Sequence, residues 1–131
     1  ILDKYDPENR DFKPSDEFMS KLKSKDWGRW AVAMPSGKKA VAPPYGSAPV
    51  GSMPADFLTD NDITGGNSGS PVLNAEGKVI GLAFDGNKES LASDLYAVPD
   101  YNKCVCVDIR YVLWTLDKYA GMSRIIEELG L

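Results

Sequence analysis

Apolar and polar residues divide the chain into a helical first part, a turn-rich β region and a helical last part. Ser15 has the position of a helix N-cap, and two acidic residues follow it directly. The next apolar residues recur at helical spacing, so we expect a short helix that ends near Lys25. Its buried face is expected to consist of Phe18, Met19 and Leu22, with Trp27 and Trp30 packed beneath it.

Residues 35–54 are rich in Pro, Gly, Ser and Ala, which predicts a long loop. Two short apolar runs separated by a turn sequence then predict a β-hairpin over residues 70–84, and we expect its second strand to be buried. A loop over residues 85–93 follows. The apolar runs at 95–98 and 104–107 predict a second pair of strands.

Apolar residues at helical spacing follow this β region, pause near Gly121 and then resume. They are Ile109, Val112, Leu113 and Leu116, followed by Ile125, Ile126 and Leu129. We expect Asp108 to cap the start of this helical part, and we assign neither Asp108 nor Arg110 to a functional site. The predicted fold class is therefore mainly β, with a short N-terminal helix and a C-terminal helix.

Charge and the absence of histidine narrow the possible functions. The chain has 131 residues, and 15 Lys and Arg against 19 Asp and Glu give a net charge of −4, which disfavours nucleic-acid binding. No apolar run approaches the roughly 20 residues needed to cross a bilayer. Without histidine the chain holds no self-contained Ser–His or Cys–His catalytic pair. Because it begins at Ile1 without a signal-like segment, we expect it to be an internal part of a longer protein.

The two cysteines, Cys104 and Cys106, are separated by one residue. On a strand this spacing places both side chains on one face, where a mutual disulfide rarely has the required geometry. A metal site would need further Cys or His ligands, which the sequence lacks. We therefore predict two buried thiols, which leave the redox compartment undetermined.

The segment from Thr64 to Pro71 carries the chemistry, because its glycines surround Ser68 and lead directly into the predicted hairpin. Such an arrangement can hold a nucleophile on a strained turn, with backbone N–H groups directed at a developing oxyanion. A mobile Gly-Ser loop is the simpler alternative. The nucleophile elbow of α/β-hydrolases does not fit, because Ser70 stands where that motif has Gly and a hairpin follows instead of a helix.

The pattern from Gly66 to Pro71 resembles the serine loop of chymotrypsin-like peptidases. The resemblance implies that Ser68 is the nucleophile and that the N–H groups of Gly66 and Ser68 form an oxyanion hole. Asn67 stands where the animal enzymes have Asp. Activation through a new N-terminus that pairs with this acid is therefore not expected here.

Three segments, at 58–74, 79–87 and 107–114, narrow the resemblance to the S46 family of bacterial dipeptidyl peptidases. The similarity is close over residues 54–131 and loose over residues 1–53. It implies the C-terminal part of a chymotrypsin-like double β-barrel, whose catalytic His and Asp lie upstream in the first barrel. Residues 1–53 would then be an irregular and helical lead-in from a lid domain, and residues 54–131 the C-terminal half-barrel with the serine loop and C-terminal helix.

The same resemblance assigns the substrate contacts. Asp85 matches the acid that receives the peptide's α-amino group, and Gly86 matches the position that sets the preference for the P1 side chain. An Arg at that position goes with acidic P1 residues, so glycine implies hydrophobic or broadly accepted ones. Asp62 has the spacing of the trypsin pocket acid, but we interpret Asp60 and Asp62 as loop-organising residues that cap backbone N–H groups.

The leading hypothesis is part of a serine dipeptidyl aminopeptidase that acts on peptide substrates, without a metal or organic cofactor. The resemblance further implies a bacterial, periplasmic or secreted, homodimeric parent enzyme. Residues 1–131 alone are expected to be inactive and to expose apolar surface. The alternatives are an endopeptidase of the glutamyl or HtrA kind, which would cleave blocked peptides, and a peptide-binding domain without catalysis.

Overall fold

A computed structural model of the chain describes residues 6, 8–9, 13–33, 48–92 and 100–131. Its strands are β1 (Asp56–Thr59), β2 (Pro71–Leu73), β3 (Val79–Gly86) and β4 (Cys104–Asp108). Its α-helices are α1 (Asp16–Ser24), α2 (Ile109–Trp114) and α3 (Ser123–Glu128). Short 3₁₀ turns lie at Gly28–Trp30 and Lys88–Ala92, and a π-helical turn at Thr115–Tyr119 continues α2. An antiparallel sheet with helices before and after it confirms the predicted fold class.

The four described strands form one antiparallel sheet in the order β1-β4-β3-β2. The predicted hairpin is confirmed as β2 and β3, and the predicted strand at 104–107 is confirmed as β4. Its partners are β1 and β3. The sequence analysis missed β1, and the expected partner strand at 95–98 lies outside the described residues.

The face of the sheet that carries the cysteines forms a small core. Ala83, Cys104 and Cys106 are buried, and Phe57 is one of the half-buried residues packed against them. Both thiols are free, as predicted, and their sulfur atoms lie 3.4 Å apart. A Cβ built on Gly81 would lie 2.5 Å from a backbone oxygen and 2.6 Å from the Phe57 ring. Glycine is therefore required for the close packing of these strands.

The prediction that the second hairpin strand is buried is wrong at both ends of the apolar run. Val79 is 45% exposed and Phe84 is 47% exposed. Val79 begins the strand directly after the hairpin turn. Phe84 lies at a register shift between Ala83 and Asp85 in the pairing with β4. Such a bulge interrupts the regular alternation of side chains, and it leaves Phe84 at the surface.

The first helix packs against the C-terminal helices rather than against the sheet. Ser15 caps α1 as predicted, because its Oγ accepts a hydrogen bond of 3.2 Å from the backbone N–H of Phe18. The expected helix face is half-buried, and no residue of α1 is fully buried. The predicted role of the tryptophans is confirmed: Trp30 and Trp114 belong to the buried cluster, and Trp27 packs against it.

Two indole hydrogen bonds fix this packing. Trp114 is completely buried, and its Nε1 donates to the backbone oxygen of Asp26 over 3.0 Å. Trp30 Nε1 donates to Asp117 Oδ2 over 2.9 Å, and Asp117 lies on the π-helical turn. Buried indoles need such acceptors, so the π-helical turn contributes to the hydrogen bonding of the cluster.

Asp108 joins β4 to α2 in the way that the sequence predicts. Its carboxylate accepts a hydrogen bond of 2.9 Å from the Arg110 backbone N–H at the start of the helix. The Arg110 guanidinium donates to both carboxylate oxygens, over 2.9 and 2.6 Å. Asp108 is only 1% exposed, so the pair compensates the burial of its charge.

Candidate active site

The serine loop connects β1 to β2 and folds into two consecutive turns. The backbone N–H of Asn67 donates to the oxygen of Thr64 over 3.2 Å, and that of Ser70 donates to the oxygen of Asn67 over 2.9 Å. Asn67 Oδ1 also accepts a hydrogen bond of 2.8 Å from the Thr64 N–H. Asn67 therefore makes the side chain to backbone contact that organises this loop.

The capping role expected of Asp60 and Asp62 is not found in the described structure. Both side chains are exposed, and among the described residues neither accepts a hydrogen bond from a loop N–H. The shorter-range contact of Asn67 takes that role. An Asn side chain hydrogen-bonds its own turn as readily as Asp does. Asn67 was therefore an equally good candidate for this contact in the sequence, and it was not predicted.

Two glycines in the left-handed region shape the loop around the serine. Gly66 has φ +102° and Gly69 has φ +86°, conformations that L side chains rarely adopt. The Gly69 N–H donates to the oxygen of Ala83 over 2.7 Å, and the Ala83 N–H donates to the oxygen of Ser70 over 2.9 Å. This reciprocal pair anchors the loop to the middle of β3.

The loop uses some of its backbone N–H groups internally and leaves others available. Those of Thr64, Asn67, Gly69 and Ser70 donate to groups of the loop or of β3. Within the described part of the chain, the N–H groups of Gly66 and Ser68 have no acceptor. These are the two groups that the sequence analysis assigned to an oxyanion hole. Both Gly66 and Ser68 are exposed residues.

A cleft of about 280 Å³ lies between the serine loop and the end of β3. It brings together Ser68, Asp85 and Gly86, three of the predicted site residues, while Gly66 lies in the same loop but does not line the cleft. The described lining residues are Ile63, Thr64, Gly65, Asn67, Ser68, Phe84, Asp85, Gly86, Asn87 and Ser90. Asp85 is the only Asp, Glu, Lys or Arg among these described lining residues, so the described lining contributes one carboxylate and no cation.

Asp85 and Gly86 occupy the wall opposite the serine loop. Asp85 is exposed, and its Oδ1 accepts a hydrogen bond of 2.8 Å from the Gly86 N–H. The other carboxylate oxygen is thus available to a cationic ligand. A Cβ on Gly86 would lie 3.3 Å from the Cβ and 3.7 Å from the Oγ of Ser90. A side chain at position 86 would therefore press against Ser90, and glycine avoids this contact.

Asn87 and Ser90 also line the cleft, and the sequence analysis did not identify them. The Asn87 side chain connects the end of β3 to the segment that enters β4. Its Nδ2 donates to the oxygen of Tyr101 over 2.6 Å, and its Oδ1 accepts from the Lys103 N–H over 3.0 Å. An Asn directly after a strand-ending Gly is a turn signal, but its distant partners cannot be identified from sequence.

The thiols are not alternative nucleophiles. Burial, together with a hydrogen bond to Cys104, raises the pKa of the Cys106 thiol from its ordinary 9.0 to about 11. The reactive thiolate is therefore scarce at neutral pH. Ser68 is an exposed hydroxyl of the cleft and is the nucleophile that the sequence analysis predicts. Since the sequence contains no histidine, an imidazole base would have to come from elsewhere.

Comparison with known proteins gives a consistent result over the entire chain. The sequence profile of the peptidase S46 family matches residues 1–131. Dipeptidyl-peptidase 7 of Phocaeicola vulgatus is 43% identical over 131 residues, which are 100% of this chain and 16% of that protein. The Asp/Glu-specific dipeptidyl-peptidase of Porphyromonas endodontalis is 36% identical over 129 residues, covering 98% of this chain and 16% of that protein.

The fold is similar to that of solved structures as well. Porphyromonas endodontalis DPP11 in complex with the dipeptide Arg-Glu superposes with a TM-score of 0.81 and 36% identity, covering 98% of this chain and 16% of that one. The chain thus spans about 16% of the length of the relatives that it matches. Among the described residues, none of the helices has both the length and the apolar character of a membrane span.

Proposed function

Because this chain belongs to the peptidase S46 family, we propose that it is the serine-bearing part of an enzyme that releases dipeptides from the free N-terminus of peptides. The observation that supports the proposal is the cleft, because Ser68, Asp85 and Gly86 all line it. The named relatives are dipeptidyl peptidases, which supports the same reaction class.

In the proposed reaction the Ser68 Oγ attacks the carbonyl carbon of the second residue of the peptide. A histidine outside these 131 residues accepts the hydroxyl proton and later protonates the leaving amine. The N–H groups of Gly66 and Ser68 donate to the oxyanion of the tetrahedral intermediate. One such donor contributes about 10²–10³ in rate. Water then hydrolyses the acyl-enzyme and releases the dipeptide.

Asp85 gives this cleft its expected selectivity for free N-termini. A carboxylate that binds an ammonium group forms charge-assisted hydrogen bonds, which a neutral acetylated terminus cannot replace. Asp85 lines the cleft that contains Ser68, and only one of its two carboxylate oxygens accepts the hydrogen bond from the Gly86 N–H. The amine subsite would thus fix the register of the peptide, so that cleavage follows the second residue.

We further propose that the P1 preference is hydrophobic or broad, and not acidic. Gly86 supplies no charge and puts no side chain against Ser90. None of the described lining residues is Lys or Arg, so a P1 carboxylate would meet no cation. Relatives include both dipeptidyl-peptidase 7 and Asp/Glu-specific enzymes, so family membership alone does not decide between these preferences.

The proposal also covers the location, the oligomeric state and the domain arrangement of the full-length enzyme. The full-length enzyme would be a bacterial periplasmic or secreted homodimer, with residues 1–53 leading in from a lid domain and residues 54–131 forming the C-terminal half-barrel. Residues 1–131 alone would lack the base and show no peptidase activity. Turnover by residues 1–131 that depends on Ser68 would contradict this placement of the base.

The proposal is tested with the full-length protein that contains this chain and a series of dipeptide reporters with free N-termini. Ser68→Ala should abolish release, at a loss of at least about 10³-fold. Ser70→Ala is the matched control, because the hydrogen bonds of Ser70 in the loop are made by its backbone. Wild-type activity that survives in Ser68→Ala would refute the assignment of the nucleophile.

A further inference from the structure

Asn87 is the centre of a hydrogen-bond cluster that holds one wall of the cleft. Its backbone N–H donates to the oxygen of Lys103 over 3.0 Å, and its Nδ2 donates to the oxygen of Tyr101 over 2.6 Å. Its Oδ1 accepts from the Lys103 N–H and from the Ser90 Oγ. The Ser90 N–H in turn donates to the Asn87 oxygen over 2.9 Å. The backbone and the side chain of Asn87 therefore both hold this turn against the entry to β4.

The cluster holds Ser90 close to Gly86. A Cβ on Gly86 would lie 3.3 Å from the Cβ and 3.7 Å from the Oγ of Ser90, so a side chain at position 86 would meet Ser90 first. Both residues line the cleft that contains Ser68. A ligand side chain that enters the part of the cleft beside Gly86 therefore meets Ser90 directly, because residue 86 has no side chain to cover it.

We propose that Ser90 is a specificity-determining residue of the P1 pocket and that Asn87 is the positioning residue that holds it there. The inference rests on the proposed function, since it takes the gap beside Gly86 as the place of the P1 side chain. It assigns the far wall of that pocket to the short turn at Lys88–Ala92, in addition to the residue at position 86.

The hydrogen bonds of Ser90 determine what this wall offers to a ligand. Its hydroxyl donates to Asn87 Oδ1, and its oxygen accepts a hydrogen bond of 3.2 Å from the Lys103 N–H. The donor is thus already used, and the wall presents the Ser90 Cβ and an oxygen with one remaining lone pair. An acceptor repels a carboxylate, whereas a small aliphatic surface accommodates apolar side chains. Ser90 therefore disfavours acidic P1 residues independently of the missing cation at Gly86.

The test compares P1 residues of different size in the full-length enzyme. Ser90→Leu fills the gap and should lower kcat/KM for a Phe P1 reporter at least about tenfold relative to an Ala P1 reporter. Asn87→Ala releases the turn and should reduce the same Phe-to-Ala ratio, mainly through KM. Unchanged ratios in both variants, with wild-type turnover intact, would overturn the inference and leave the proposed function standing.

Asn74→Ala is the matched control for Asn87→Ala. Asn74 Oδ1 accepts from the backbone N–H groups of Glu76 and Lys78, over 3.0 and 2.9 Å, in the β2–β3 hairpin outside the cleft. Its loss should destabilise the protein without changing the P1 ratio. An equal change of the Phe-to-Ala ratio in Asn74→Ala and Asn87→Ala would mean that Asn87 only supports the fold. That result would overturn its assignment as a positioning residue.

A binding measurement separates the inference from the proposed function. In a Ser68→Ala background, calorimetry with the dipeptides Ala-Phe and Ala-Ala reports on the pocket without turnover. Ser90→Leu should weaken the binding of Ala-Phe by at least about tenfold and should weaken the binding of Ala-Ala less. If the wild-type enzyme releases no dipeptide but this binding pattern holds, the proposed reaction is wrong and the pocket assignment stands. If neither dipeptide binds, the pocket assignment is wrong, and release of dipeptides by the wild-type enzyme still decides the proposed reaction.

Discussion

Replacement of Gly86 by Arg should convert the proposed P1 preference from apolar to acidic. Gly86 does not have a positive φ, so a side chain fits its backbone without left-handed strain. Its Cβ would meet Ser90 at 3.3 Å, a tight contact that a small movement of Ser90 relieves. The guanidinium would then lie in a cleft whose described lining contains no other cation.

The expected magnitude follows from two opposed effects. Charge-assisted hydrogen bonds of about 1.5–3 kcal/mol between the guanidinium and a P1 carboxylate correspond to a gain of about 10- to 150-fold in kcat/KM. The arginine side chain fills the pocket and should lower kcat/KM for a large apolar P1 residue at least about tenfold, since a misfit of one methylene already has that effect. The ratio of Glu to Phe reporters should therefore rise by at least about a hundredfold.

The assay compares kcat/KM for matched Glu and Phe P1 reporters in the full-length enzyme. Gly86→Met is the control, because its side chain has a similar length but no charge. Both variants should lose turnover of Phe, and only Gly86→Arg should gain turnover of Glu. A gain of Glu turnover in both variants, or in neither, would refute the assignment of Gly86 to the P1 pocket.

Three further predictions concern stability, measured by urea denaturation of the full-length protein. Gly81→Ala should lower the free energy of unfolding by at least about 2 kcal/mol. The added Cβ would lie 2.5 Å from the Val107 oxygen and 2.6 Å from the Phe57 ring. An unchanged midpoint of urea denaturation would contradict this packing. The pKa of Cys106 is raised from 9.0 to about 11 in the folded state, mainly by burial, so the unfolded state ionises first. The contribution of Cys106 to the free energy of unfolding should be constant below about pH 9 and should fall by up to about 3 kcal/mol towards pH 11. Cys106→Ala should lack this part of the pH dependence, and an identical fall in that variant would show another origin. Ser15→Ala should cost about 1 kcal/mol through the lost N-cap, whereas no loss would mean that the cap contributes nothing.

Local patterns in the sequence were sufficient for the hairpin and the helices. Each of these features depends on residues that lie close together in the chain. They are the turn between β2 and β3, the cap at Ser15 and the helical spacing after Asp108. β1 was missed because it has four residues and pairs with a strand far along the chain. The exposure of Phe84 depends on a bulge in the pairing with β4, which no local pattern reveals.

The candidate site could be predicted only in part. The glycines around Ser68 identified the loop from conformational requirements alone, and Gly66 and Gly69 do adopt positive φ. The roles of Asp85 and Gly86 depended on family resemblance, since an Asp-Gly pair at the end of a strand is an ordinary turn signal. The contacts of Asn87 with Tyr101 and Lys103 exist only in the folded chain, and so this wall of the cleft was not predicted.

The proposed dipeptide release is tested by comparing how the full-length enzyme cleaves matched dipeptide reporters with free and with acetylated N-termini. We expect cleavage of the free form only, and a loss of about 10- to 150-fold in Asp85→Asn, which removes one charge-assisted contact. Asn can still accept the hydrogen bond from the Gly86 N–H that Asp85 Oδ1 now accepts, so this variant isolates the charge. Equal cleavage of both reporters would contradict the account and identify an endopeptidase.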